Sequence, residues 1–347
     1  LTASTVNGSG NGARSGAQTL SLLADPLEVA VLRSLSAGPK RQVELRREAG
    51  SPAQSTLRAH LKGLEAIGAI ARRRRNAFPG TVEYELEKPG EELLSVAVIL
   101  ERWLEAAPGG PLALGEDAAK AAIRALAEGW SSTMLRALAA GPLSLTELDR
   151  LIGALNYPSL ERRLAAMRLA GLVEPAPSNA KGTPYAVTGW LRRGVGPLVA
   201  AIRWERRNAP ARTAPPGRID VEAVFLLAVP LLRLPEELSG VCRLALEIPS
   251  GGERRLAGVL VEVEGGRVAS CAARPGGDPD AWASGSLSAW LAALTEADPD
   301  GLELGGDCRF ARALLEALVE ALLGAAPARG PAQTPAARPN WYWVSVN

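Results

Sequence analysis

Cations stand between residues 40 and 76 in an order suited to holding a polyanion. Arg72, Arg73, Arg74 and Arg75 run consecutively, with Asn76 beyond them, on what reads as one strand of a hairpin. Arg58 and Lys62 lie one helical turn apart on the preceding segment, Ser55 and Thr56 stand near its start, and Lys40 and Arg41 lie further upstream. Such groups neutralise phosphates, and side chains carried on a helix can reach base edges in a major groove. Alternation along a strand lets at most two of the four arginines share a face.

Catalytic chemistry finds little to work with. His60 is the only histidine and flanks an apolar helical stripe, where packing is the expected role. Cys242, Cys271 and Cys308 are far apart, without the C-x-x-C spacing of a metal or redox site, and are expected as reduced thiols. Phosphate-cradling glycine loops and a Ser-His-Asp set are both missing. The expectation is a non-enzyme with no cofactor and no metal.

The elements that must position these cations can be read from spacing. Residues 53–67 form a helix in which Leu57, Leu61 and Leu64 make one apolar stripe. Ser55, Ala59 and Ala66 lie opposite, with Arg58 and Lys62 on the flank, and Gly68 ends the helix. A short helix at 44–47 and a polar break at 49–52 precede it; a turn at 77–80 and an alternating strand at 81–86 follow the arginines. Upstream, Asp25-Pro26 reads as a cap and first turn, and Gly38-Pro39 as a stop. A long helix at 91–105 closes the unit. Helix, turn, helix and basic hairpin make a winged helix-turn-helix pattern, and the expected partner is double-stranded DNA.

The pattern recurs. Residues 32–39 correspond to 135–142, Glu44-Leu45 to Glu147-Leu148, and Leu61, Leu64 and Gly68 to Leu164, Met167 and Gly171, all at an offset of 103. Past a shorter wing, Tyr84 matches Tyr185 and Arg102-Trp103 matches Arg203-Trp204 at an offset of 101. Two copies of one domain are expected. In the second, Arg58 is replaced by Glu161, Lys62 by Ala165 and Ser55 by Pro158, while Arg162, Arg163 and Lys181 remain as candidate DNA contacts. Trp103 and Trp204 are expected to pack in a core or an interface.

These motifs resemble the HxlR-type winged-helix regulators of bacteria: L-R-x-L-x-x-G-P, E-L-R-R, the Ser51-Pro52 helix ending in Glu65-x-x-Gly68, and Tyr84-Glu85-Leu86 after the wing. In the second copy Gly129-Trp130 is similar to the Gly-Lys-Trp found before the family's first helix. The resemblance covers residues 20 to 207 and implies a DNA-binding regulator that acts through helix and wing. The family's N-terminal cysteine is missing, so redox sensing does not carry over. Fusion of two copies implies a monomer acting as a pseudo-dimer, or a homodimer.

Composition separates the front of the chain from its rear. Apolar residues make up 47% and charged residues 22%, as in a packed soluble protein, and the net charge is +2. Residues 1–213 hold 28 basic and 20 acidic side chains, whereas 214–347 hold 11 and 17. The longest apolar run, 223–229, is too short for a membrane span, and a cytoplasmic location without membrane association is expected.

After a Pro-rich linker at 210–217, residues 218–323 read as strands at 241–248, 254–264 and 267–272 among helices at 221–232, 287–294 and 309–323. The stretches 280–286 and 300–307 resemble sterol-carrier-protein-2-like (SCP2-like) domains, which implies a cavity for a small apolar metabolite. Phe225, Trp282 and Trp290 are its bulkiest candidate lining residues. The expected fold is α+β: a flexible leader at 1–19, winged-helix domains at 20–108 and 109–209, mainly α with β-wings, the SCP2-like domain, and a Pro/Ala-rich tail at 324–347 with an aromatic end. The alternative is an interaction or carrier protein that does not bind DNA and uses its winged helices for protein docking and its C-terminal domain for lipid-like molecules.

Overall fold

The computed structural model describes residues 15–75, 81–153, 155–177, 182–208, 214–248, 255–273 and 278–323. The aromatic tail lies outside them.

The first unit runs α1 (Ala17–Leu23), α2 (Pro26–Ser36), β1 (Lys40–Arg41), α3 (Gln42–Glu48), α4 (Gln54–Ala66), β2 (Ile70–Arg75), β3 (Thr81–Leu86) and α5 (Lys88–Glu105). The Asp25 carboxylate accepts from the Leu27 N–H at 2.9 Å, capping α2, with Pro26 in its first turn. Gly50 and Ser51 take positive φ between α3 and α4, and Arg46 Nε donates to the Pro52 carbonyl at 2.9 Å across that turn. Leu57, Leu61 and Leu64 bury the inner stripe of α4. Gly68, at φ 70°, lets the chain leave α4 in the left-handed region and enter β2. The strands form an antiparallel sheet in the order β1-β3-β2.

The same succession follows in α6 (Asp117–Ser131), α7 (Met134–Ala140), β4 (Leu143–Ser144), α8 (Leu145–Leu151), α9 (Tyr157–Leu169), β5 (Val173–Pro175), β6 (Pro184–Val187), α10 (Gly189–Arg193) and α11 (Val195–Asn208). Its sheet has the order β4-β6-β5. The long helix α5 has its counterpart in α10 and α11 together.

The two units pack through corresponding elements: α1 lies on α6, and α5 on α11. Trp103 and Trp190 stack with ring centroids 4.5 Å apart and planes 7° from parallel. Each indole donates to the other's main-chain carbonyl, at 2.9 and 2.8 Å. Trp204 donates to the Pro89 carbonyl at 2.7 Å.

A flexible leader reaching residue 19 is corrected by α1. The buried Glu205 carboxylate of α11 accepts from Gly16 N at 2.7 Å, Thr19 Oγ1 at 2.7 Å, and Ser15 Oγ and Thr19 N at 3.1 Å. Four donors at a helix start compensate a carboxylate removed from water.

The third unit comprises α12 (Arg218–Ala228), a 3-10 turn at Val229–Leu231, β7 (Gly240–Ile248), β8 (Arg255–Glu264), β9 (Arg267–Ala272), β10 (Ala281–Gly285), α13 (Leu287–Glu296), β11 (Glu303–Gly306) and α14 (Cys308–Leu323). Its sheet has the order β11-β10-β7-β8-β9, with β10 parallel to β7 and the other pairs antiparallel. This unit sits on the second one: α12 packs on α7, and α13 and α14 pack on α11. Arg136 and Asp220 approach to 3.5 Å there, with side chains only 5% and 10% exposed. Arg192 Nη1 also donates to the Leu226 carbonyl at 2.6 Å. Among the described residues, no helix is long and apolar enough to cross a membrane.

Candidate nucleic-acid interface

Burying the leucine stripe of α4 turns Ser55, Thr56, Arg58 and Lys62 outward, and all four are exposed. The wing register then sorts the arginines. Arg72 lies opposite Tyr84 and Arg74 opposite Val82, on one face; Arg73 lies opposite Glu83, on the other.

Tyr84 joins helix to wing. Burial raises its phenol above the usual range; Glu65 adds to that shift, and Arg72 and Arg58 oppose it. Cations from α4 and β2 thus both act on this one phenol, with Lys62 a turn beyond Arg58. Arg58 and Lys62 on the helix and Arg72 and Arg74 on one face of the wing are all exposed.

Other candidates are engaged elsewhere. Arg73 pairs with Glu87 at 2.8 Å and Glu85 at 3.5 Å, which partly neutralises it and holds it across the wing. Lys40 Nζ pairs with Glu48 at 2.8 Å. This lysine, followed by the Ser34 hydroxyl, lowers the Glu48 carboxyl below its usual range. Arg41 remains exposed, and its main-chain N–H donates to Glu44. The Arg75 side chain, Asn76 and Lys181 lie outside the described residues.

His60 belongs to the framework. Its Nδ1 lies 2.9 Å from Glu28 Oε1, joining α4 to the first turn of α2. Burial raises the Glu28 carboxyl, and the hydrogen bond from His60 opposes that rise.

On the second unit, Arg162 is exposed on α9 beside Glu161, whereas Arg163 Nη1 donates to the Glu128 carbonyl at 3.2 Å, near the end of α6. Arg163 thus serves a helix terminus.

Residues 22–108, from the end of α1 through α5, match the HxlR-like helix-turn-helix family. The uncharacterized HTH-type transcriptional regulator YtcD of Bacillus subtilis (strain 168) is 35% identical over 85 residues, which is 24% of this chain and 68% of that protein. This chain belongs to the HxlR-like helix-turn-helix family. A second uncharacterized HTH-type regulator of that strain, YkvN, is 38% identical over 73 residues, covering 21% of this chain and 62% of its own length. The reduced form of the transcriptional regulator YodB from B. subtilis aligns at 26% identity over 27% of this chain and 92% of that one, with a TM-score of 0.26. The HxlR-like segment contains all four of these exposed cations, Arg58, Lys62, Arg72 and Arg74.

Of the three aromatic residues expected to line one cavity, two meet and the third lies apart. Phe225 and Trp290 are fully buried and meet edge to face, with centroids 4.7 Å apart, and Trp290 Nε1 donates to the Ala245 carbonyl at 2.7 Å. Ala281 and Ala283 of β10 turn into the same core, so alternation sends Trp282 to the opposite face of the sheet. There its ring lies against Gly305, where a Cβ would come within 2.1 Å of it. Phe225 and Trp290 act as core filling, and Trp282 closes over the β11 backbone.

Cysteine chemistry is quiet. Burial pushes the Cys271 thiol up to about 12, with Arg192 opposing, and pushes Cys242 up as well. Both stay protonated at neutral pH, which suppresses nucleophilicity. Among the described residues, no group of three His, Cys, Asp or Glu side chains is arranged to hold a metal ion.

Proposed function

We propose that the chain is a DNA-binding transcription regulator in which two winged-helix domains, residues 15–108 and 109–209, form an intramolecular pseudo-dimer. The observation that carries the DNA reading is the joint exposure of Arg58, Lys62, Arg72 and Arg74 on the helix and wing of an HxlR-like domain. Helix residues enter the major groove, wing residues grip phosphate, and Ser55 and Thr56 stand at the end of α4 that reaches base edges.

The pseudo-dimer is supported by the tryptophan contacts. Trp103 and Trp204 correspond, as do Trp190 and Pro89, so each unit offers an equivalent carbonyl to the other's equivalent indole. Self-complementary contacts of this kind characterise two-fold interfaces.

The C-terminal domain, 218–323, is read as an SCP2-like body that couples a small apolar ligand to the DNA-binding half. Its seat on α7 through Arg136 and Asp220 supplies a route for that coupling. The ligand must bind the DNA-competent and DNA-incompetent forms unequally.

The test is a salt titration of the full chain on a labelled random-sequence duplex. The logarithm of affinity should fall linearly with log salt, and Arg72→Ala with Arg74→Ala should flatten the slope by roughly 0.9 per lost phosphate contact. Affinity that ignores salt and both substitutions would remove DNA from the account.

A further inference from the structure

The two winged units present their outward faces differently. At Arg58, Lys62, Arg72 and Arg74 of the first unit, the second has Glu161, Ala165, Pro175 and Pro177. Lys40 and Arg41 become Leu143 and Ser144. Arg163 is drawn back to the Glu128 carbonyl, leaving Arg162 and Arg168 as the exposed cations of α9, with the exposed Glu161 between the first turn and Arg162.

Apolar side chains surface where the first unit is polar or small. Leu151 stands in place of Glu48, Tyr157 in place of Gln54 and Leu169 in place of Ala66, and they are 64%, 45% and 86% exposed. Close to phosphates, Glu161 costs repulsion where Arg58 gains attraction, and nothing at Pro175 or Pro177 can donate to an oxygen. The second unit instead carries the third through Arg136–Asp220 and Arg192.

We propose that DNA is gripped by the first winged unit alone. One chain then occupies a single, directional half-site, while the second unit serves as the mount for the C-terminal domain. This rests on the DNA-binding reading above and adds a polarity to it. A two-fold protein frame carries a one-sided surface, so frame symmetry and operator symmetry part company.

The experiment selects duplexes from a random pool with the full chain, then measures stoichiometry and affinity on the selected site, singly and as an inverted repeat. One-sided grip gives a consensus with no dyad that one chain fills by itself. The inverted repeat then takes two chains, each with the single-site affinity. Arg58→Ala with Arg72→Ala should lower affinity by 100-fold or more, and Arg162→Ala with Arg168→Ala by less than threefold. As a gain-of-function control, Glu161→Arg with Ala165→Lys should raise one chain's affinity for the inverted repeat at least tenfold over the single site.

A dyad-symmetric consensus filled by one chain, with equal losses from substitutions in either unit, would overturn the one-sided grip and leave DNA binding intact. Failure to bind any duplex at low salt would overturn both readings.

Discussion

Trp103 and Trp204 stand at equivalent positions of α5 and α11, and each gives its indole N–H to a carbonyl at the equivalent position of the opposite unit: Trp190 at 2.9 Å and Pro89 at 2.7 Å. This reciprocal pair of donors and acceptors is what the pseudo-dimer proposed above requires of its seam. The match is approximate. Pro89 has no indole to return, whereas Trp190 stacks on Trp103 and donates back to it.

Removing one indole N–H should be felt at this seam. Trp204→Phe keeps a ring in place and leaves the Pro89 carbonyl without that donor, costing about 1–3 kcal/mol. Urea unfolding should show the loss, and the double variant Trp103→Phe/Trp204→Phe should depart from additivity because both contacts close one interface. Additive losses within error would mean that the two contacts act independently.

Glu205 ties the start of the described chain to α11. Replacing it with Ala removes an acceptor for four hydrogen bonds from Ser15, Gly16 and Thr19. Hydrogen exchange over residues 15–23 should accelerate strongly in Glu205→Ala, while α4 keeps its protection. Equal acceleration in both segments would make the effect global.

At the second seam, Arg136 and Asp220 approach to 3.5 Å, with little exposure. Replacing either alone, as Arg136→Met or Asp220→Asn, should cost about 3–5 kcal/mol, because a desolvated charge then faces one opposite charge fewer. The paired apolar replacement Arg136→Met/Asp220→Leu should recover much of that loss. Thermal unfolding of all three variants measures it, and a double variant no better than the worse single would show that the charges do more than neutralise each other.

What the sequence reveals follows from how local each signal is. The ends of α4, its leucine stripe and Gly68 were readable because periodicity and a positive-φ glycine act within a few residues. β9, at Arg267–Ala272, was readable for the same reason, beside the Gly265-Gly266 turn. The strand β10 was not: Ala-Trp-Ala-Ser-Gly is buried throughout, so it shows neither alternation nor β-branched residues. Without that strand, the division of Trp282 from Phe225 and Trp290 was invisible. The start of α1, Ala17 to Thr19, read as leader because its anchor, Glu205, comes 186 residues after Thr19. Alternation separated Arg73 from Arg72 and Arg74, but its pairing was hidden until the fold brought Glu85 and Glu87 across the wing.

Glu222 of α12 gives a pH signature. Burial raises its carboxyl above the usual value, and Arg218, 3.7 Å away, only partly offsets this. A raised folded pKa means that the native state holds the proton more tightly than the unfolded state does. That stability is complete below about 4.5 and is lost as pH climbs through the folded pKa. Glu222→Gln removes the loss, so its advantage over the parent should be absent in acid and grow toward neutrality. An advantage that stays constant with pH would assign the effect to packing.

The wing offers the sharpest test of the nucleic-acid interface, because adjacent arginines are expected to behave differently. Arg72 shares a face with Tyr84 and lies close enough to oppose its shift, as Arg58 does from α4. Arg73 points to the other face and is held by Glu85 and Glu87. A guanidinium already paired with carboxylates releases few counterions when phosphate approaches, so Arg73→Ala should leave the salt slope nearly unchanged. Arg72→Ala should lower it by about 0.9, with affinity falling on all sequences alike, since a phosphate contact carries no base information. Circular dichroism should be the same for both variants, as the two side chains are exposed. Equal slopes for Arg72→Ala and Arg73→Ala would mean that the wing meets DNA with its other face, or only with its tip. The grouping of Arg72 with Arg58 would then have to be given up.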